Sequence, residues 1–238
     1  MKNLLAALSL LLLLPACGNK FSVKGTLATD ILDGEYAYVK GTAGSDVFTI
    51  DSCKVLHGAF EFAGAADSVQ IVSLYIGSTP IMPFVLEKGA IAIDIAPNSI
   101  SVGGTPLNDE LGRLMCEKAS HEARLVEIGS LEASMILDGH TSEAAADFVR
   151  DSIAAVGVSM ENMINSYIKR NYDNVLAPCF FALLYSEVSV PILSPELEEL
   201  YDEAPESFRN DTFVSEYYSV ARENMNRMQR AAEEEKNN

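Results

Sequence analysis

Basic residues are scarce: 17 Lys+Arg stand against 34 Asp+Glu, a formal net charge of -17 over 238 residues. A surface of that sign repels nucleic acid and anionic head groups, so no nucleic-acid partner is expected; solubility accounts for the charge more simply than an acidic binding patch. Catalytic signatures are missing as well. There is no Gly-x-Ser-x-Gly, no phosphate-cradling glycine loop and no His-Glu-x-x-His. Cys17, Cys53, Cys116 and Cys179 lie far apart, so no Cys-x-x-Cys is present. No internal repeat and no long linker interrupts the chain. The expectation is a non-enzyme with no catalytic residue, no metal and no cofactor.

Long apolar runs are also missing, except at the start. Lys2 gives a minimal positive segment, and Leu4 to Leu14 form an apolar core of signal-peptide length, too short for a membrane span. Leu14-Pro15-Ala16-Cys17 resembles the bacterial lipobox. The resemblance implies cleavage before Cys17, a diacylglyceryl group on its sulfur and often an acyl chain on its new amino group. Several acyl chains hold a protein on a membrane where one would not. Residues 1–16 are thus expected as a lipoprotein signal peptide and 17–20 as a tether. The location would be the cell envelope, on the outer or inner membrane, facing the periplasm.

Residues 21–104 alternate apolar and polar residues in short runs broken by turn residues. Candidate strands are Phe21–Ala28, Glu35–Lys40, Asp46–Ile50, Ser52–Leu56, Ala59–Ala63, Val69–Ile76, Met82–Glu87, Ala90–Ala96 and Ser99–Val102. Asp33-Gly34, His57-Gly58, Lys88-Gly89 and Pro97-Asn98 serve as turns. Many short strands at this spacing point to an antiparallel β-sandwich. Treated as a two-residue hairpin loop, His57-Gly58 sets Leu56 opposite Ala59, Val55 opposite Phe60, Lys54 opposite Glu61 and Cys53 opposite Phe62. Lys54 and Glu61 then pair on the wet face, and the other two pairs face the core.

From Gly103-Gly104 onward the period becomes helical. Thr105 is placed as N-cap with Pro106 at the first helical position, and Leu107, Leu111, Leu114, Leu125, Ile128 and Met135 keep steps of three and four. Asp138-Gly139 stops this helix, and Thr141 or Ser142 caps a second that runs to about Arg170. Pro178 opens a very apolar third, Ser194-Pro195-Glu196 starts a short fourth, and a last one covers about 211–232. The expected fold is therefore α+β, an N-terminal antiparallel β-sandwich (21–104) followed by a mostly helical segment (105–232). A frayed tail is expected over 233–238.

Taken together, the lipobox, Phe21-Ser-Val-Lys-Gly-Thr-Leu, Asp51 through Gly64, Leu86-Glu87-Lys-Gly89 and Gly104-Thr-Pro-Leu-Asn108-Asp-Glu-Leu111 resemble a known arrangement. It is similar to the domain of unknown function at the N-terminus of many bacterial thiol–disulfide interchange lipoproteins. There a helical segment and then a thioredoxin-like domain follow, and a Cys-x-x-Cys carries the chemistry. Without that motif here, the resemblance implies fold and location but transfers no catalytic residue.

With Cys17 lipidated, three cysteines remain. Cys53 faces the core, Cys116 lacks a nearby cation pattern, and Cys179 is the possible redox thiol, because a helix N-terminus favours thiolate while Phe180 and Phe181 favour burial. His57 is a turn residue, and His121 and His140 lack the companions a metal site or triad needs. The expected function is a non-catalytic binding or accessory module, with a protein or small-molecule partner in the envelope and the membrane held through Cys17. The rivals are a redox accessory of a separate thioredoxin-like protein, a hydrolase with dispersed residues, and a structural role.

Overall fold

The computed structural model describes residues 19–43, 46–186 and 188–236. The expected signal segment, 1–16, and Cys17 lie outside them. Eight strands come first: β1 Lys20–Leu27, β2 Tyr36–Ala43, β3 Asp46–Lys54, β4 Ala59–Ala65, β5 Gln70–Ile76, β6 Thr79–Leu86, β7 Gly89–Ala96 and β8 Ser99–Gly103. Helices follow: α1 Pro106–Leu137, α2 Ser142–Arg170, α3 Leu176–Tyr185, α4 Pro195–Asp202, the single turn α5 Glu206–Arg209, and α6 Thr212–Lys236. The α+β reading holds. One sheet has the order β4-β1-β7-β8 and the other β3-β2-β5-β6. The second is antiparallel throughout, but the first is not, because β1 pairs with β7 in parallel, from Phe21 opposite Gly89 to Leu27 opposite Ile95. A parallel neighbour needs a long crossover, which β2 to β6 supply.

The hairpin register needs correcting. His57 and Gly58 do form the turn, with φ of 53° and 67°, and Leu56 and Ala59 exchange backbone bonds of 2.9 and 3.1 Å. Pairing stops there, because the chain passes from one sheet to the other at buried Val55. Lys54 lies opposite Tyr36, Glu61 opposite Lys24 at 3.8 Å, Phe60 opposite Gly25 and Phe62 opposite Val23. The inward faces survive the change, since both sheets share one core. Val55, Phe60 and Phe62 are buried and Cys53 is half-buried against them. The two strands expected over Asp46–Ile50 and Ser52–Leu56 are one strand, with a register shift at Val39/Lys40 of its partner.

Asp33 ties this crossing down. Its carboxylate accepts from the backbone N–H groups of His57 and Gly58, both at 2.8 Å. The Gly58 bond, then that of His57 and the His57 charge, outweigh burial and hold the carboxyl below its usual 3.8. A lowered folded pKa stabilises fully above pH 3.8, and the contribution is lost as pH falls through the folded value. Asp33→Asn should therefore lower the urea midpoint at pH 7 and narrow its gap to the unsubstituted chain as pH drops below about 4. A gap independent of pH would show that this carboxylate does not set the crossing.

Three antiparallel pairs set a phenylalanine across from a glycine: Phe60 and Gly25, Phe21 and Gly64, Phe48 and Gly41. A Cβ on Gly25 would sit 1.9 Å from the Phe60 ring, so the ring occupies the space the missing side chain leaves. Such aromatic cover compensates for the weak strand propensity of glycine.

The N-terminus of α1 plugs the open side of the sandwich between the edge strands β6 and β8. Asn108 is fully buried. Its Oδ1 accepts from the Val85 N–H at 2.9 Å, while its Nδ2 donates to the Val85 carbonyl and to Thr105 Oγ1, both at 2.8 Å. One amide thus supplies β6 with the partner an edge strand lacks. One helical turn on, Gly112 brings α1 against the Val102 carbonyl of β8. Thr105 is the N-cap residue, as expected, but its hydroxyl does not cap. Glu87 takes that part from across the joint, its Oε1 accepting from Leu107 N at 3.0 Å and Asn108 N at 3.3 Å.

The α1–α2 pair is closed by Glu110, which bonds Arg113, Arg170 (2.6 Å) and Asn171 (3.3 Å). Gly139, with φ of 95°, and a Thr141 hydroxyl bond to Ala144 N mark the turn between them, as expected. Two boundaries differ from expectation. Helix α3 begins at Leu176, before Pro178, and α6 continues to Lys236, so 233–236 are helical instead of frayed. Among the described residues no helix is long and apolar enough to cross a membrane.

Candidate functional site

Where the outer face of the second sheet meets the helical layer, a groove of about 550 Å³ opens. Thr42 of β2, Ile71 of β5 and Pro83 of β6 form one wall. Pro178, Cys179, Ala182 and Leu183 of α3, with Phe213 of α6, form the other. The sequence builds the helical wall directly: α3 is apolar around most of its circumference, so after Phe180 and Phe181 are buried it still presents apolar groups to the sheet. Phe181 is fixed by aromatic contacts with Tyr185, Phe208, Phe213 and Tyr217 at ring-centroid distances of 4.6 to 6.0 Å, which sets the position of the wall. Asp211 also lines the groove, but its Oδ1 accepts from Phe213 N (3.0 Å) and Val214 N (3.2 Å) and so caps α6.

Cys179, singled out in the sequence as the possible redox thiol, is the one cysteine in this groove. Its helix begins at Leu176, two residues earlier than expected, so the thiol stands beyond the first-turn amides that would favour thiolate. Burial pushes its pKa up to about 12. Cys53 is raised as well, by burial first, with the Asp51 charge adding to it against a bond to the Glu61 backbone. Cys116 is exposed. Brief alkylation at pH 7.5 should therefore modify Cys116 while Cys179 stays protected until the protein unfolds, read by peptide mass spectrometry. Cys179 reacting as fast as Cys116 would restore it as a nucleophile.

A second cleft, of about 600 Å³, lies between α2 and α4 and is polar, with Asn165, Lys169 and Glu199 in its walls. Its cations, Lys169 and Arg170, are already paired, Arg170 with Glu110. Lys169 contacts Glu203 at 2.7 Å and Glu199 at 2.9 Å, and those bonds raise its pKa. The apolar groove is the better binding site, because its walls present surface with no partner of their own. His121 is half-buried and His140 exposed on separate stretches, and among the described residues no three His, Cys, Asp or Glu side chains are grouped as a metal site requires. Met160 and Met163 pack against the core, whereas Met228 is exposed.

The groove residues other than Cys179 were not singled out in the sequence. Thr42 and Phe213 are separated by most of the chain, and only the apolar character of 176–185 signalled a wall.

No curated protein matches the chain. A family model does match residues 21–111, taking in the sandwich, both sides of the Glu87–Asn108 joint and the first turns of α1. Over those residues the chain is similar to a domain of unknown function (DUF4369).

Proposed function

We propose that the protein is a lipid-anchored cell-envelope lipoprotein, held to the membrane through Cys17 and facing the periplasm, that binds a partner without catalysing a reaction. The groove between the second sheet and α3 carries this reading: a concave, largely apolar site of about 550 Å³ with a few polar groups at its rim. The Leu14-Pro15-Ala16-Cys17 pattern supports the anchor. The redox-accessory alternative would use Cys179 or partner a separate thioredoxin-like protein, and the elevated pKa of that thiol weighs against the first route.

The test is mass spectrometry of the protein extracted from its own membrane. A denatured mass equal to residues 17–238 plus two or three acyl chains is expected. Under native conditions an additional bound mass is expected, and it should be lost in Thr42→Trp, which narrows the groove from its exposed rim. An unacylated chain would overturn the anchor, and a bound mass indifferent to Thr42→Trp would overturn the site.

A further inference from the structure

The groove continues onto a second surface. On β2 and β5 the inward residues Ala37, Val39, Val72, Leu74 and Ile76 are buried, so Tyr36, Tyr38, Lys40 and Tyr75 face outward. Tyr36 and Tyr38 stack at 6.1 Å, and Tyr75 lies directly opposite Tyr38. Lys40 Nζ stands 4.1 Å from the Tyr75 ring and 5.4 Å from that of Tyr38, while Lys54 Nζ is 5.9 Å from Tyr36. In a chain of net charge -17 this is unusual, since neither β2 nor β5 contains an acidic residue. Among the described residues neither Lys40 nor Lys54 is in an ion pair; both rest on tyrosine rings. Lys40 and groove-lining Thr42 point to the same face, about 7 Å apart along the strand.

We infer that this groove and platform together bind a long-chain fatty acid, its aliphatic tail lying between the sheet and α3 and its carboxylate at Lys40. This rests on the groove being the binding site. The walls decide the tail. Ile71, Pro83, Ala182, Leu183 and Phe213 give both walls apolar side chains, against which a peptide would have to bury polar backbone, whereas an alkyl chain has no polar group to bury. Lys40 decides the head. It is a cation held in place by two rings, with no carboxylate of the described residues against it, two residues along β2 from groove-lining Thr42.

The full-length protein in phosphatidylcholine nanodiscs would be titrated with [1-13C]hexadecanoate, following the carboxyl resonance, beside uncharged hexadecanol. A displaced, saturable resonance is expected. Lys40→Gln should weaken hexadecanoate about fivefold, as for a partly exposed ion pair, and leave hexadecanol unchanged. Ala182→Trp and Thr42→Trp, each checked for native circular dichroism, should abolish both. Equal hexadecanoate affinity with and without Lys40, unchanged binding in both tryptophan variants, or no bound resonance would overturn the inference. Hexadecanol bound and lost with Thr42→Trp while hexadecanoate does not bind would remove the fatty acid and keep the groove. No ligand sensitive to either tryptophan would remove both.

Discussion

Asn108→Leu should cost about 3 kcal/mol of stability, or more, read as a drop in the urea midpoint at an unchanged slope. The side chains are close in volume, so the loss would come from polar groups and not from a cavity. Val85 is buried, and both its N–H and its carbonyl have the Asn108 amide as partner. Leucine would leave the two unsatisfied inside the protein, where each costs about 1–3 kcal/mol. Thr105→Val removes only the hydroxyl that accepts from Asn108 Nδ2, and about 1 kcal/mol is expected there. Asn108→Asp separates shape from hydrogen bonding. The ionised aspartate sets an acceptor against the Val85 carbonyl, so it should be worse than leucine at pH 7 and recover as acid protonates it. A loss under 1 kcal/mol for Asn108→Leu would mean that α1 is not held by this amide.

Gly112→Ala and Gly129→Ala should move stability in opposite directions, although both are glycine-to-alanine changes inside the same helix. A Cβ at Gly112 would lie 2.2 Å from the Val102 carbonyl oxygen, a backbone atom that cannot rotate aside, so α1 must lift from β8. Overpacking of this kind costs about 1–3 kcal/mol and exceeds the gain of nearly 1 kcal/mol that alanine brings to a helix. At Gly129, and at Gly157 of α2, nothing lies within 4 Å of the added carbon, so the propensity gain of ~0.5–1 kcal/mol should appear alone. Thermal midpoints of the three variants decide the matter. Gly112→Ala as stable as Gly129→Ala would show that the helix is free to slide on the sandwich edge.

How far the sequence could be read is clear from the turn at His57-Gly58. Its conformation was legible because a positive φ at Gly58 is what that dipeptide offers. The inward faces were legible because alternation says which side chains leave water. Which strand lies alongside was not, since Lys54–Glu61 and Lys24–Glu61 satisfy the same charge rule, and alternation does not say in which sheet a strand sits. Helix ends at Ser194 and Gly139 were legible from local chemistry. The cap of α1 was not, because Glu87 supplies it from a different strand. Two of the motifs that carry the family resemblance, Leu86-Glu87-Lys88-Gly89 and Gly104 through Leu111, meet at that joint. These two motifs mark a joint between layers. The groove escaped for the same reason: its walls come from three strands and two helices whose proximity only the fold creates.

β1 lies in the middle of its sheet, hydrogen-bonded to β4 on one side and β7 on the other, and it begins three residues past Cys17. A lipid on that cysteine, as proposed, would transmit any pull from the membrane straight into this strand. Tension along β1 loads both of its ladders in shear, so the bonds resist together and do not unzip one at a time. Drawing the strand out would also drag Phe21 and Val23 from the core into water. An anchor at Cys17 would thus hold the domain at a mechanically strong point, and a tug on it should detach the lipid from the bilayer before it opens the fold.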